Sequence, residues 1–318
     1  MNDVVRNFAM PLGVLLAVFA FASSLTWVER RLLALFQDRL GPNRVGRFGL
    51  LQLVADAIKI LAKENWIPPF SDRPVFVIAP GLIMVSTLLV FSIVPFSPLI
   101  QVADPDIGVL FFLGLSSLAV YSVALAGWSS NSKYGLLGSI RAVGQMLSYE
   151  IFMGLSLMGV VAISGTFSLR AIVEAQSRLW FCVPQFAGFA VFLVAGLAET
   201  RRIPFDLPEA ENELVAGYHT EYSGMKFAMF YLGDYVGLTL IASLTVVLFL
   251  GGWKGPWLAP VAWFLIKTSL LIGFFILVRA SLPRPRYDQL MSFGWKLMFP
   301  LALANIVVTA AVVLGGKA

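Results

Sequence analysis

The chain has 318 residues, of which 58% are apolar and only 13% charged, whereas an ordinary soluble domain carries roughly 25% charge. So few charges cannot cover the surface of a soluble fold of this length, which excludes the common water-soluble enzyme classes and points to a membrane. One Cys (Cys182) and one His (His219) exclude a disulfide framework, an iron-sulfur cluster, a zinc site of Cys and His, or a bis-histidine haem built by this chain alone.

A helix crossing the hydrocarbon core needs about 20 mostly apolar residues. The first such run is 8–28, closed by Glu29, Arg30 and Arg31. It contains an A-x-A-like Ala20-Phe21-Ala22, but it is too long and too weakly basic at its start for a signal peptide, so it reads as a span. Over 46–64, Gln52, Asp56, Lys59 and Lys63 recur at helical spacing opposite Leu50, Leu51, Val54, Ala57, Ile58 and Leu61. That pattern predicts an amphipathic helix, too charged to span, which lies in the interface plane or docks on a partner. Further spans follow at 75–96, 107–127, 148–165, 184–198, 225–250, 258–278 and 295–314. The fifth is the weakest, with only about 15 clean residues unless 181–183 and Glu199 extend it. The expected fold is therefore an all-α integral membrane protein of eight transmembrane helices, with an interfacial amphipathic helix after the first span. No tandem repeat or linker divides it, so 1–318 is read as a single domain.

Basic residues fix the expected orientation. Seventeen of the 23 cations fall in the odd-numbered connections, from Arg30 and Arg31 through Lys133, Arg202 and Arg279 to Lys296. The positive-inside rule makes those connections cytoplasmic and puts both termini outside. The formal charge of +5 is thus mostly topology, not a nucleic-acid footprint.

Ionisable groups inside a bilayer are costly, so those that persist are functional candidates. Glu150 lies about 13 Å along a helix from Arg141, Asp234 about 12 Å from Lys226, and Lys267 about 18 Å from Arg279. The bland alternative for each is a buried ion pair or a helix-to-helix hydrogen bond. Between Glu199 and Glu221 the chain also gathers Glu199, Asp206, Glu209, Glu211, Glu213 and Glu221, six of its 18 acids, against Arg201 and Arg202. Crowded carboxylates titrate as a coupled set, which suits proton transfer. A solvated acidic loop is the alternative, but Ile203-Pro204-Phe205 and Leu207-Pro208 interrupt the acids with apolar, turn-forming residues, as expected of a segment folded onto a surface. No Walker A or dinucleotide-binding glycine pattern is present.

The segment ETRRIPFDLPEAENELVAGYHTEYSG (199–224) closely resembles the signature loop of the H-subunit family of bacterial NADH:quinone oxidoreductase (respiratory complex I), known in mitochondria as NADH dehydrogenase subunit 1. ERR (29–31), GPNRVG (41–46), ADAIK (55–59), GWSSN (127–131) and RPRYDQ (284–289) resemble further motifs of that family in the same order. The resemblance implies a multi-pass subunit of the bacterial cytoplasmic membrane, both termini periplasmic, that forms most of a quinone tunnel. Its partners would be peripheral-arm quinone-site subunits, small membrane-arm subunits, lipid and quinone. Quinone would be its substrate, while FMN and iron-sulfur clusters belong to other subunits. Carried over residue by residue, Arg30, Arg39, Asp56, Arg202, Asp206 and Arg279 border the tunnel. Glu150, Glu199, Glu209, Glu211, Glu213, Glu221 and Asp234 belong to a proton path, to which Lys267 is added for its depth. Two positions depart from the family pattern: Asp234 stands where Glu is common, and Arg201 where Asn is common. The readings that stay open beside this one are a related membrane-bound hydrogenase subunit, a self-contained secondary transporter, which would show paired broken helices at midplane, and a purely structural anchor.

Overall fold

A computed structural model describes residues 3–208 and 215–315, and all regular structure among them is helical. In chain order the helices are α1 (Asp3–Phe36), α2 (Gln52–Ala62), α3 (Arg73–Val90), α4 (Gly108–Ser129), α5 (Lys133–Ser164), α6 (Leu169–Ala175) and α7 (Phe186–Glu199). After the acidic loop come α8 (Gly224–Phe249), α9 (Pro260–Ser281), α10 (Tyr287–Phe293) and α11 (Phe299–Gly315), the last two joined by a π-turn at Gly294–Met298. Seven stretches are long and apolar enough to cross a membrane: α1, α3, α4, α5, α8, α9 and the continuous Tyr287–Gly315. The eighth expected span is α7, apolar but only 14 residues long. Pro184 has no amide hydrogen to donate just before it. At its other end Arg201 takes a left-handed φ of 52°, which an α-helix cannot continue.

Two boundaries differ from those read in the sequence. Helix α5 begins at Lys133 rather than near 148, because Ser139 and Gln145 turn inward and are buried instead of breaking the helix. Helix α2 begins at Gln52 rather than 46. Gly46, Phe48 and Gly49 all have positive φ, and a Cβ on Gly49 would stand 2.3 Å from the Pro42 carbonyl oxygen. The chain therefore folds back on itself before the helix can start. Leu50, Leu51, Val54, Ile58 and Leu61 remain exposed, so the apolar face of α2 is not covered by the rest of the chain.

Helix α8 is apolar all round and buried over most of its length, as a central helix must be. It packs against α1, α3, α7 and α9. Helix α5 forms a second platform, with α4, α7 and α11 around it. Its Gly138 meets the main chain at Gly217 and Tyr218, where an added Cβ would come within 2.7 Å. That backbone-on-backbone contact lays the return of the acidic loop on α5.

Lys267 is buried and its ammonium donates to the carbonyls of Leu250 (2.7 Å), Gly252 (3.1 Å) and Lys254 (2.7 Å). It also lies 4.4 Å from the centre of the Trp180 ring. All three ammonium hydrogens are used on the turn between α8 and α9. Lys267→Met is expected to leave those carbonyls unpartnered at about 1 to 3 kcal/mol each, read as a lower yield and a lower melting temperature of the detergent-purified protein assembly.

Candidate functional site

Glu29, near the end of α1, is 2% exposed although it is an acid in an apolar helix. It persists because two arginines from distant parts of the chain neutralise it. Arg202 Nη1 donates to its Oε2 at 2.6 Å and Arg279, from the end of α9, donates to its Oε1. Tyr235 of α8 also interacts electrostatically with Glu29, and the Arg202 guanidinium lies 4.1 Å from the centre of the Tyr235 ring. Burial alone would lower the pKa of Arg202, but Glu29 and its other neighbours outweigh that and raise it above its ordinary value. Arg202 is therefore a fixed cation.

The next residue on α1, Arg30, points about 100° further round the helix and bonds Asp56 Oδ2 on α2 at 2.7 Å, while Gln52 donates to Asp56 Oδ1 at 2.8 Å. Arg30 also interacts electrostatically with Tyr231, whose hydroxyl lies 3.2 Å from that of Tyr235. Across the space, Asp206 takes a two-pronged contact from Arg284, with Nε to Oδ1 at 2.8 Å. Arg202, Asp206, Tyr231, Tyr235 and Arg279 line a polar cavity of about 150 Å³. Thr200, Arg201 and Asp234 line it as well.

Those same three residues also line a second, smaller cavity of about 50 Å³, with room for more than one water. Ser116 and Glu199 lie on it too. Ser116 and Ser117, one turn of α4, donate to Glu150 Oε1 of α5 at 2.9 and 2.6 Å. Glu199 Oε2 is shut off from solvent without a hydrogen-bond partner, and the carboxyl interacts electrostatically with Glu150 and Arg201. Between the two cavities Arg201 makes an ion pair with Asp234, the two side chains being 2% and 16% exposed. The two positions that depart from the family pattern thus meet in one pair.

A roomier crevice of about 530 Å³ lies between α1, α8 and α9, but it is lined almost wholly by apolar side chains such as Val14, Phe91 and Phe264. Size alone therefore does not pick out the chemistry; the charged cavity does.

Of the expected tunnel residues, Arg202, Asp206 and Arg279 line the larger cavity, and Arg30 with Asp56 braces its wall through Tyr231. Arg39 stands apart, exposed and bonded to Gln37 at 2.9 Å. Of the expected path residues, Glu199 and Asp234 line the smaller cavity and Glu150 reaches it through Ser116. Glu221 is half-buried in the turn before α8 and lines neither. Lys267 lies about 18 Å along α9 from Arg279, with its ammonium on the carbonyls of the turn described above. Glu209, Glu211 and Glu213 lie outside the described residues. Among the described residues, no three of His, Cys, Asp or Glu converge so as to hold a metal ion.

Sequence reasoning missed Glu29, Arg201, Arg284 and the Tyr231–Tyr235 pair as members of the site. Glu29 could have been found, as an acid within one turn of an apolar span. The tyrosines could not, because aromatic residues in a membrane helix carry no mark of a polar partner.

Comparison with known proteins supplies the family. Residues 9–310 match the NADH dehydrogenase family. A curated relative from Methylococcus capsulatus (strain ATCC 33009 / NCIMB 11132 / Bath), the H subunit of NADH-quinone oxidoreductase, is 62% identical over 305 residues, covering 96% of this chain and 96% of its own length. With a match across nearly its whole length, the chain belongs to the NADH dehydrogenase family.

Proposed function

We propose that this chain is the membrane subunit of a proton-pumping NADH:quinone oxidoreductase that receives quinone in the charged cavity and passes the charge of its reduction to buried carboxylates. The observation that carries the reading is the adjacency of the two cavities. One is lined by Arg202, Asp206, Arg279 and two tyrosines, the other by Glu199 and Asp234, and they share a wall. Reducing a quinone to a quinol takes up two electrons and two protons. The chain has one Cys and one His, so a redox partner subunit supplies the electrons. Hydroxyls and guanidiniums placed where oxyanion charge develops stabilise that charge most in a site shielded from water. The acids of the second cavity then respond to the altered field, Glu199 and Asp234 first and Glu150 through its serines, with Glu209, Glu211, Glu213 and Glu221 as further members of the path.

The same geometry supports an orientation. Arg202, Arg279 and Arg284 gather at one end of the helices with Glu29 and Asp206. With the positive-inside rule that end is cytoplasmic, facing the peripheral arm, and both termini are periplasmic.

The test is made on the intact complex purified in mild detergent. Subunits of an NADH dehydrogenase are expected to co-purify, and Asp206→Asn is expected to raise KM for quinone about tenfold, or about 1.4 kcal/mol. Co-purification of hydrogenase subunits, or an unchanged KM for quinone, overturns the assignment.

A further inference from the structure

Two serines meet one carboxylate between α4 and α5. Ser116 Oγ stands 2.9 Å and Ser117 Oγ 2.6 Å from Glu150 Oε1. Each hydroxyl also reaches a second acceptor, the Leu113 carbonyl one turn back on α4, at 2.9 Å from Ser116 and 3.1 Å from Ser117. A hydroxyl has one hydrogen to donate and two lone pairs with which to accept. Each serine can therefore aim its hydrogen at either oxygen, and change between them by rotating the hydroxyl alone. The two serines differ in what else they face. Ser116 lines the smaller cavity together with Glu199, whereas neither Ser117 nor Glu150 lines it. Glu199 and Glu150 interact electrostatically. Ser116 thus touches both Glu150 and the cavity on which Glu199 lies.

We propose that Ser116 is the proton relay between Glu150 and the smaller cavity, and that Ser117 is a positioning residue that holds the Glu150 carboxyl against it. With Glu150 protonated, its O–H donates to Ser116 Oγ. In the transfer that O–H bond breaks and the proton joins Ser116 Oγ, while the hydrogen already on the serine leaves to a water in the cavity and passes on to the Glu199 carboxylate. Glu150 ends ionised, Glu199 neutral and Ser116 a neutral hydroxyl as before, so one proton has moved and no charge stays on the serine. A cavity of about 50 Å³ has room for the water the step needs. The end state is the contact described above, Ser116 donating to Glu150 Oε1. Turning that hydrogen away, onto the Leu113 carbonyl or into the cavity, presents a lone pair to Glu150 for the next proton. Ser117 makes the shorter bond to the same oxygen but has no face on the cavity, so it fixes the carboxyl and passes nothing on.

This inference rests on the proton-path reading above, and its test separates the two. Intact complex bearing Ser116→Ala, Ser116→Thr or Ser117→Ala is reconstituted in liposomes, and kcat and KM for quinone are measured for proton-coupled NADH oxidation. Ser116→Ala is expected to lower kcat at least about tenfold, the low side of what a positioned proton-transfer group contributes, with KM for quinone unchanged. Ser116→Thr, which keeps the hydroxyl, is expected to recover most of that loss, and Ser117→Ala to lose clearly less than Ser116→Ala. If the serines only anchor the carboxyl, the ranking inverts, because Ser117 makes the shorter bond. A Ser117→Ala loss as large as that of Ser116→Ala therefore overturns the relay. So does a Ser116→Ala kcat equal to the parent's, or a threonine variant no better than the alanine one. Should Ser116→Ala not assemble, Ser116→Cys, which keeps the shape with a far weaker donor, is judged by the same criteria. If instead the quinone reading is at fault, Asp206→Asn leaves KM for quinone unchanged, a result the serine variants do not touch.

Discussion

Glu29→Gln is expected to destabilise the assembled protein by about 3 to 5 kcal/mol, the usual cost of removing one partner from a buried ion pair, and to cut quinone-linked turnover at least a hundredfold. The amide keeps nearly the shape of the carboxylate but not its charge. Arg202, with a side chain only 10% exposed, is left as a buried cation that cannot shed its proton, because its pKa stands above the ordinary arginine value. Arg279, at 35% exposure, can turn partly toward solvent and so bears less of the loss. The two guanidiniums then repel each other across the space Glu29 had neutralised, and both line the charged cavity, so the cavity changes shape as well as field. Glu29→Asp keeps the charge on a shorter arm and is expected to recover a measurable part of both quantities. Native gel electrophoresis reports assembly and NADH-driven quinone reduction reports turnover. A Gln variant that matches the parent in both would show that the paired arginines do not depend on Glu29.

Gln145→Leu is expected to cost about 1 to 2 kcal/mol and to lower turnover further than that loss of stability explains. Gln145 is fully buried on α5, and its amide nitrogen donates at 2.8 Å to each of two carbonyls, Ala198 near the end of α7 and Phe205 in the following turn. This single side chain thus clamps both ends of the segment bearing Glu199, Arg201 and Arg202. Leucine fills nearly the same volume but leaves the Phe205 carbonyl without its donor, at about 1 to 3 kcal/mol, while the Ala198 carbonyl keeps the Arg201 amide at 3.3 Å. Part of that is offset, because the Gln145 side-chain oxygen itself has no partner and leucine removes it. The remaining effect is geometric. A turn released from its clamp no longer holds Arg202 on Glu29, and a misplacement of about 1 Å can cost a hundredfold in rate. The measurement is the melting temperature of the complex set against its turnover: equal fractional losses would refute the clamp, a larger loss of turnover supports it.

Much of this was legible from residues alone. The apolar runs marked the helices because a membrane span must satisfy its own backbone hydrogen bonds, so length and hydropathy suffice. Glu150, Glu199 and Asp234 stood out because an acid is rare in such a run. What could not be read was which charge answers which. Arg202 and Glu29 are separated by 173 positions, and Arg279 and Glu29 by 250, with no local pattern linking them. Lys267 shows the same limit from the other side. Its depth marked it as a member of the path, but the ammonium lies against three carbonyls of a turn, a partner set that sequence does not display, since every residue has a carbonyl.

The sequence by itself determined the environment, the helices and the list of costly charges, because those follow from composition and from periodicity within one segment. Only the tertiary structure decided that Glu29 is shared by two arginines, that Gln145 ties the turn, and that Arg201 with Asp234 lines both cavities. These are pairings between helices, set by packing around α5 and α8, and long-range packing leaves no trace in the spacing of residues along the chain. The few charges that mark this chain in a list of letters become a site only when the fold brings opposite signs from α1, α7, α8 and α9 to one place.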